Sequence, residues 1–167
     1  MGEGVPAAEG VDGVGMGLMQ RQKGKRFERA IATLLRAHFP DAVVRRASQA
    51  DRAHQSDVYV QSKALLLERL WLECQDARDP NPWAKLMQAE RDCAGVMAPR
   101  ERYLGRLPVV VWHKLGARSI HVSLRLHTLD EIRGVDPRGP CSGLVTMQFG
   151  ELLGIVAEKT FEMERAA

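Results

Sequence analysis

The sequence predicts an α/β fold, a mixed central sheet flanked by helices, from three observations. Two stretches repeat their apolar residues at helical spacing, one over 20–38 and one from Pro82 onward. Short β-branched or alternating runs lie between and after them, notably Leu107-Pro108-Val109-Val110-Val111-Trp112. Helical and extended segments interleave along the chain rather than separating into blocks. A length of 167 residues, 45% of them hydrophobic and 27% charged, suits one domain with a core of its own.

Residues 1–18 are expected to form a flexible tail ahead of one domain over 19–167. The glycines there are scattered, and no charged segment precedes an apolar one as in a secretory leader. The first helix, over 20–38, places Phe27, Ile31, Leu34, Leu35 and His38 on one face and stops at Pro40. Glu28 falls at the margin of that stripe, about 75° from its centre at ~100° per residue, where a carboxylate can look into a cleft at the core's edge. Val43-Val44-Arg45-Arg46 reads as a strand, 47–55 as a polar loop, and Val58-Tyr59-Val60 as a second strand with a turn at 61–63. Within the apolar run that follows, Leu70 to Gln75 is the central strand, expected to pair antiparallel with its predecessor. Asn81-Pro82 is helix-start chemistry, with Asn81 as cap and Pro82 in the first turn. Trp83, Leu86, Met87, Glu90 and Cys93 continue that helix towards Pro99. Residues 107–112 read as a buried strand and 119–126 as a strand with one wet face, because Ile120, Val122, Leu124 and Leu126 alternate with polar neighbours. An extended piece over 143–149 and a helix over 151–163 close the chain.

Charge is unevenly spread. Residues 21–52 hold nine basic and three acidic side chains, whereas residues 126–167 hold four basic and seven acidic. A basic segment of that kind suits a polyanionic partner, and a solvated helix face is the plain alternative. Three cysteines without CxxC spacing argue against a disulfide framework or zinc site and for a reducing compartment. No apolar run approaches the ~20 residues of a membrane span, so a membrane is not expected as partner. Gly24-Lys25-Arg26 lacks the spacing of a phosphate loop, and the histidines form no HExxH pattern. An aromatic content of 5% offers few platforms for single strands.

The chemistry concentrates around one strand. Period-2 geometry sends Glu73 and Gln75 to one face and Leu72 and Cys74 to the other. A glutamate inside Leu70-Trp71-Leu72 is costly unless paired or ligated. Asp57 begins the neighbouring strand, so its carboxylate falls within reach of Glu73. Two such carboxylates suit a hard divalent cation, with the Cys74 backbone carbonyl as a further oxygen ligand. Singly, each acid is more often a turn or solvated strand-end residue.

The ordered set Lys23-Gly24-Lys25-Arg26-Phe27-Glu28, Val44-Arg45-Arg46, Ser56-Asp57-Val58 and Trp71-Leu72-Glu73-Cys74-Gln75 resembles the PD-(D/E)xK nuclease superfamily, in particular the Holliday junction resolvase-like endonucleases of phages and prophages. The resemblance runs on through Met87-Gln88-Ala89 and Pro108-Val109-Val110-Val111 with Lys114, and covers about two-thirds of the chain, residues 21–132. It implies a restriction-endonuclease-like domain and a Mg²⁺-dependent endodeoxyribonuclease, with Mn²⁺ as substitute, acting on branched DNA. It further implies a homodimer, located in the cytoplasm of a bacterial host. The metal would be gathered by Glu28, Asp57 and Glu73, and DNA held by Lys23, Lys25, Arg26, Arg45, Arg46, Gln88 and Lys114. One departure stands out: the family's ExK lysine is replaced here by Gln75. Three outcomes follow in order of preference: catalysis with Gln75 itself, substitution by Lys85 on the adjoining helix, or an inactive DNA-binding descendant. A non-catalytic DNA-binding module in phage recombination or packaging is the alternative from another class.

Overall fold

A computed structural model describes residues 12–47, 56–94, 105–136 and 143–166. The element order is α1 (Asp12–His38), β1 (Val43–Arg46), β2 (Val58–Gln61), α2 (Leu65–Arg69), β3 (Leu70–Ala77), α3 (Pro82–Cys93), β4 (Leu107–Lys114), β5 (Ile120–Arg125), α4 (Leu126–Arg133), β6 (Leu144–Gln148) and α5 (Phe149–Ala166). The strands form one mixed sheet in the order β1-β2-β3-β4-β5-β6. Neighbours pair antiparallel except β3 and β4, which run parallel in register from Leu70 with Leu107 to Ala77 with Lys114. A parallel pair needs a crossover, and α3 lies in that connection.

The two faces of the sheet differ in chemistry. On one, Val44, Val58, Val60, Leu72, Val109, Val111, Val122 and Leu124 join Phe27, Ile31 and Leu35 of α1 and Leu152, Leu153 and Val156 of α5 in the main core. On the other, α3 seats Leu86, Ala89 and Cys93, with Trp71, Ala89 and Cys93 forming a small second cluster. A buried residue such as Leu72 in the first layer is worth about 2–5 kcal/mol against alanine.

Several elements differ from the sequence-based expectation. The first helix begins at Asp12, inside the stretch expected as tail. Each residue added to a nucleated helix gains one hydrogen bond for one residue fixed, so a weak former can extend it. Residues 1–11 lie outside the described residues, as do most of the polar loop, 48–55, and the expected end of α3 near Pro99. The apolar run ahead of β3 is split, because Leu65–Arg69 makes a helical turn that buries Leu66 and Leu67. A continuous apolar run carries no period by which to tell the two states apart. Leu126 opens a short helix instead of ending a strand, with Leu129 and Ile132 buried. Gly134 closes it in the left-handed region, at φ 68°. The final helix starts at Phe149, where the Glu151 carboxylate accepts from the Gln148 N–H at 2.9 Å, half of a capping box.

The wet face expected for β5 is buried. Ser123 is fully enclosed and accepts from the Trp112 indole at 2.9 Å, while its hydroxyl meets Thr146 at 2.8 Å. Arg125 is held by Glu90 of α3 at 2.6 Å and lies 4.3 Å over the Trp83 ring. Polar residues line this layer because β4 and β6 supply the partners of Ser123 and α3 that of Arg125, which no periodicity announces.

A candidate carboxylate–lysine site at the β2–β3 fork

Asp57 and Glu73 meet where β2 diverges from β3. The strands are in register at Val58 and Leu72, and continuing the antiparallel step sets Asp57 across from Glu73. The Asp57 carboxylate accepts from the Cys74 backbone N–H at 2.9 Å. N–H and C=O of one strand residue point to the same side, so the Cys74 carbonyl also faces Asp57 rather than β4.

The third member comes from α3. Asn81 caps that helix, its side chain accepting from Ala84 N–H at 3.0 Å, and Pro82 supplies the preset first turn. Ala89 packs on Trp71. One helical turn back, ~6 Å, lies Lys85; two residues along β3, ~6.6 Å, lies Glu73. The two advances match, and Lys85 Nζ stands 2.7 Å from Glu73 Oε2 and 4.0 Å from Asp57 Oδ2. A cation in a first turn opposes the helix dipole, and here two carboxylates offset that.

Burial, first, and the charge of Asp57, second, raise the Glu73 carboxyl to about 7, with Lys85 and the Trp71 indole pulling the other way. Burial, the largest single effect, lowers Lys85, but the charge and hydrogen bond of Glu73 together with the charge of Asp57 turn the net shift upward, so the lysine stays charged. The Cys74 thiol is raised by burial and by the charges of Asp57, Glu28 and Glu73, which makes it an inert thiol rather than a nucleophile.

Glu28, whose charge also bears on the Cys74 thiol, has a partner of its own. It is 8% exposed and its Oε2 accepts from Arg46 Nε. Among the described residues no group of three or more His, Cys, Asp and Glu is arranged to hold a metal ion. Of the three acids expected from the sequence, Asp57 and Glu73 lie across the fork from each other, while Glu28 is paired with Arg46 of β1. Two carboxylates and a strand carbonyl are the kind of donors Mg²⁺ takes, and here the Lys85 ammonium lies against both carboxylates.

The other expected site residues scatter. Gln75 follows Glu73 on the same face with its Oε1 buried and without a hydrogen-bond partner. Lys23 and Arg26 are exposed on α1, Lys25 is half-buried, and Lys114 is exposed at the end of β4. Gln88 is exposed and bonds Asp92 along its own helix at 3.3 Å. Arg45 stacks 4.7 Å over Tyr59. A cleft of about 480 Å³ between the end of α1, the turn ahead of α2 and α5 shares no residue with the pair. Sequence reasoning missed Trp71, whose indole donates to Glu73 Oε1 at 3.0 Å, and the Asp76–His113 contact at 2.9 Å. The i, i+2 relation of Trp71 to Glu73 was a usable signal, whereas Asp76 and His113 lie far apart in sequence.

Fold and site together define an α/β protein with a carboxylate pair bridged by a lysine beside an open strand fork. No protein-family model matches the chain, and no curated protein matches its sequence. No helix among the described residues is long and apolar enough to cross a membrane.

Proposed function

We propose that this chain is a Mg²⁺-dependent endodeoxyribonuclease that hydrolyses phosphodiester bonds in branched or structured DNA, as its resemblance to the resolvase-like endonucleases implies. The observation that carries the proposal is the convergence of Asp57, Glu73 and Lys85 at the fork between β2 and β3. Asp57, Glu73 and the Cys74 carbonyl would hold the ion. When bound, a divalent cation polarises the scissile phosphate and lowers the pKa of an attacking water.

The chain's own groups supply the rest. Lys85 carries the positive charge that Gln75 lacks and faces the position where negative charge develops on the phosphate. The unpartnered Gln75 oxygen accepts a hydrogen bond from water. Arg45, Lys23, Lys25, Arg26 and Lys114 offer cations to DNA phosphates, which positions a duplex without reading its sequence. Two symmetric cuts across a junction call for two related sites, hence a homodimer. Such a protein would work in the cytoplasm of a bacterial host.

Cleavage of four-way junction, flap, linear duplex and single-stranded DNA in Mg²⁺, Mn²⁺ and EDTA tests the proposal. Asp57→Ala and Glu73→Ala proteins are expected to bind junctions and fail to cut them. An undiminished rate in either variant would remove the assignment. A non-catalytic DNA-binding module is the second reading, favoured by the single observation that Lys85 already neutralises Glu73. Calorimetric titration with Mn²⁺ separates the two, since that module has no use for the ion.

A further inference from the structure

Trp71 and Glu73 project from the same face of β3, two residues apart, against α3. The indole is 4% exposed and is wedged between Ala89 and Cys93. Its Nε1–H donates to Glu73 Oε1 at 3.0 Å, and Lys85 takes Oε2 at 2.7 Å. An indole nitrogen is a donor only, so this bond cannot reverse. A phenylalanine would fill the apolar slot without needing any partner, whereas a buried tryptophan needs one.

We propose that Trp71 is a positioning residue: it pins Oε1 so that Glu73 keeps Oε2 turned toward Lys85 and Asp57, where that oxygen would be shared between the ammonium and a divalent cation. The proposal rests on the nuclease reading and specifies how that site is built. Without the indole, Lys85 alone holds the carboxylate, and because an ammonium can bond either oxygen, rotation about the broad, roughly two-fold last torsion lets the two exchange places. Groups that orient a metal-binding carboxylate commonly contribute 10–100-fold to metal affinity.

The test is Mn²⁺ binding to the full chain followed by electron paramagnetic resonance, wild type against Trp71→Phe. The expected result is a dissociation constant raised at least tenfold in a variant that keeps its circular dichroism spectrum. Equal affinity in the two proteins overturns the proposal and leaves the nuclease reading standing. A wild-type chain that binds no Mn²⁺ overturns both. A second measurement serves if Trp71→Phe does not fold: the ¹⁵N-indole resonance of Trp71 in the wild type, assigned by elimination with Trp83→Phe and Trp112→Phe. Mg²⁺ is expected to shift that resonance and leave the Trp112 indole, which bonds Ser123, in place. An unmoved Trp71 signal at saturating Mg²⁺ overturns the proposal.

Discussion

Replacing Lys85 with methionine keeps the aliphatic stem and removes the charge, which isolates the electrostatics of the site. The lysine sits 2.7 Å from Glu73, with side-chain exposures of 20% and 8%. Removing one partner of a buried ion pair costs about 3–5 kcal/mol where the other must stay charged, and less where it can take up a proton, as Glu73 can. The cost must depend on pH. Glu73 already titrates near 7 in the fold, raised first by burial and then by Asp57. A carboxyl raised on folding contributes stability below its unfolded pKa and loses it as pH rises through the folded value. Without Lys85 the folded pKa climbs further, so at pH 5 Glu73 is neutral in both proteins and has little need of the ammonium. Urea denaturation followed by circular dichroism should therefore give nearly equal stabilities at pH 5. At pH 8, about one unit above the folded value of Glu73, Lys85→Met should be at most about 1.4 kcal/mol less stable, since the variant can keep Glu73 protonated. A difference that stays constant from pH 5 to pH 8 refutes the assignment of Glu73 as the buried partner.

Two further outcomes follow from the hydrogen bonding and the backbone. Both ring nitrogens of His113 face acceptors, Asp76 at 2.9 Å and the Ala117 carbonyl at 2.8 Å, which only the doubly protonated ring satisfies. Its pKa is raised, chiefly by Asp76, so its stabilising effect is present below the ordinary histidine value and is lost as pH rises through the raised one. In Asp76→Asn the His113 titration followed by NMR should move down, and an unmoved titration refutes the contact. Gly134→Ala places a Cβ at φ 68° and 2.7 Å from the Lys159 Cε. The left-handed backbone alone costs about 1–2 kcal/mol, and the flexible lysine end can move away. A fall in melting temperature of several degrees is expected, and an unchanged melting curve refutes the cap.

Much of the secondary structure was legible because it depends on neighbours in sequence. Asn81-Pro82 starts α3 by capping chemistry, and the spacing of Phe27, Ile31 and Leu35 shows which face of α1 is buried. The short helices α2 and α4 were not legible, since each holds one to two turns and apolar residues that serve a strand equally well. The burial of Ser123 and Arg125 was hidden for another reason: their partners, Trp112, Thr146 and Glu90, come from other elements.

Sequence alone determined an interleaved α/β chain, the side-by-side placement of Asp57 and Glu73 on neighbouring strands, and the basic segment over residues 21–52. Those follow from local periodicity and from the short step between β2 and β3. Only the tertiary structure decided which charges meet. It brought Lys85 to Glu73 because helix and strand advance by similar distances over four and two residues. It also gave Glu28 to Arg46 because β1 lies beside α1. Electrostatic partnership falls off over a few ångströms and is indifferent to sequence separation, so folded geometry alone settles it.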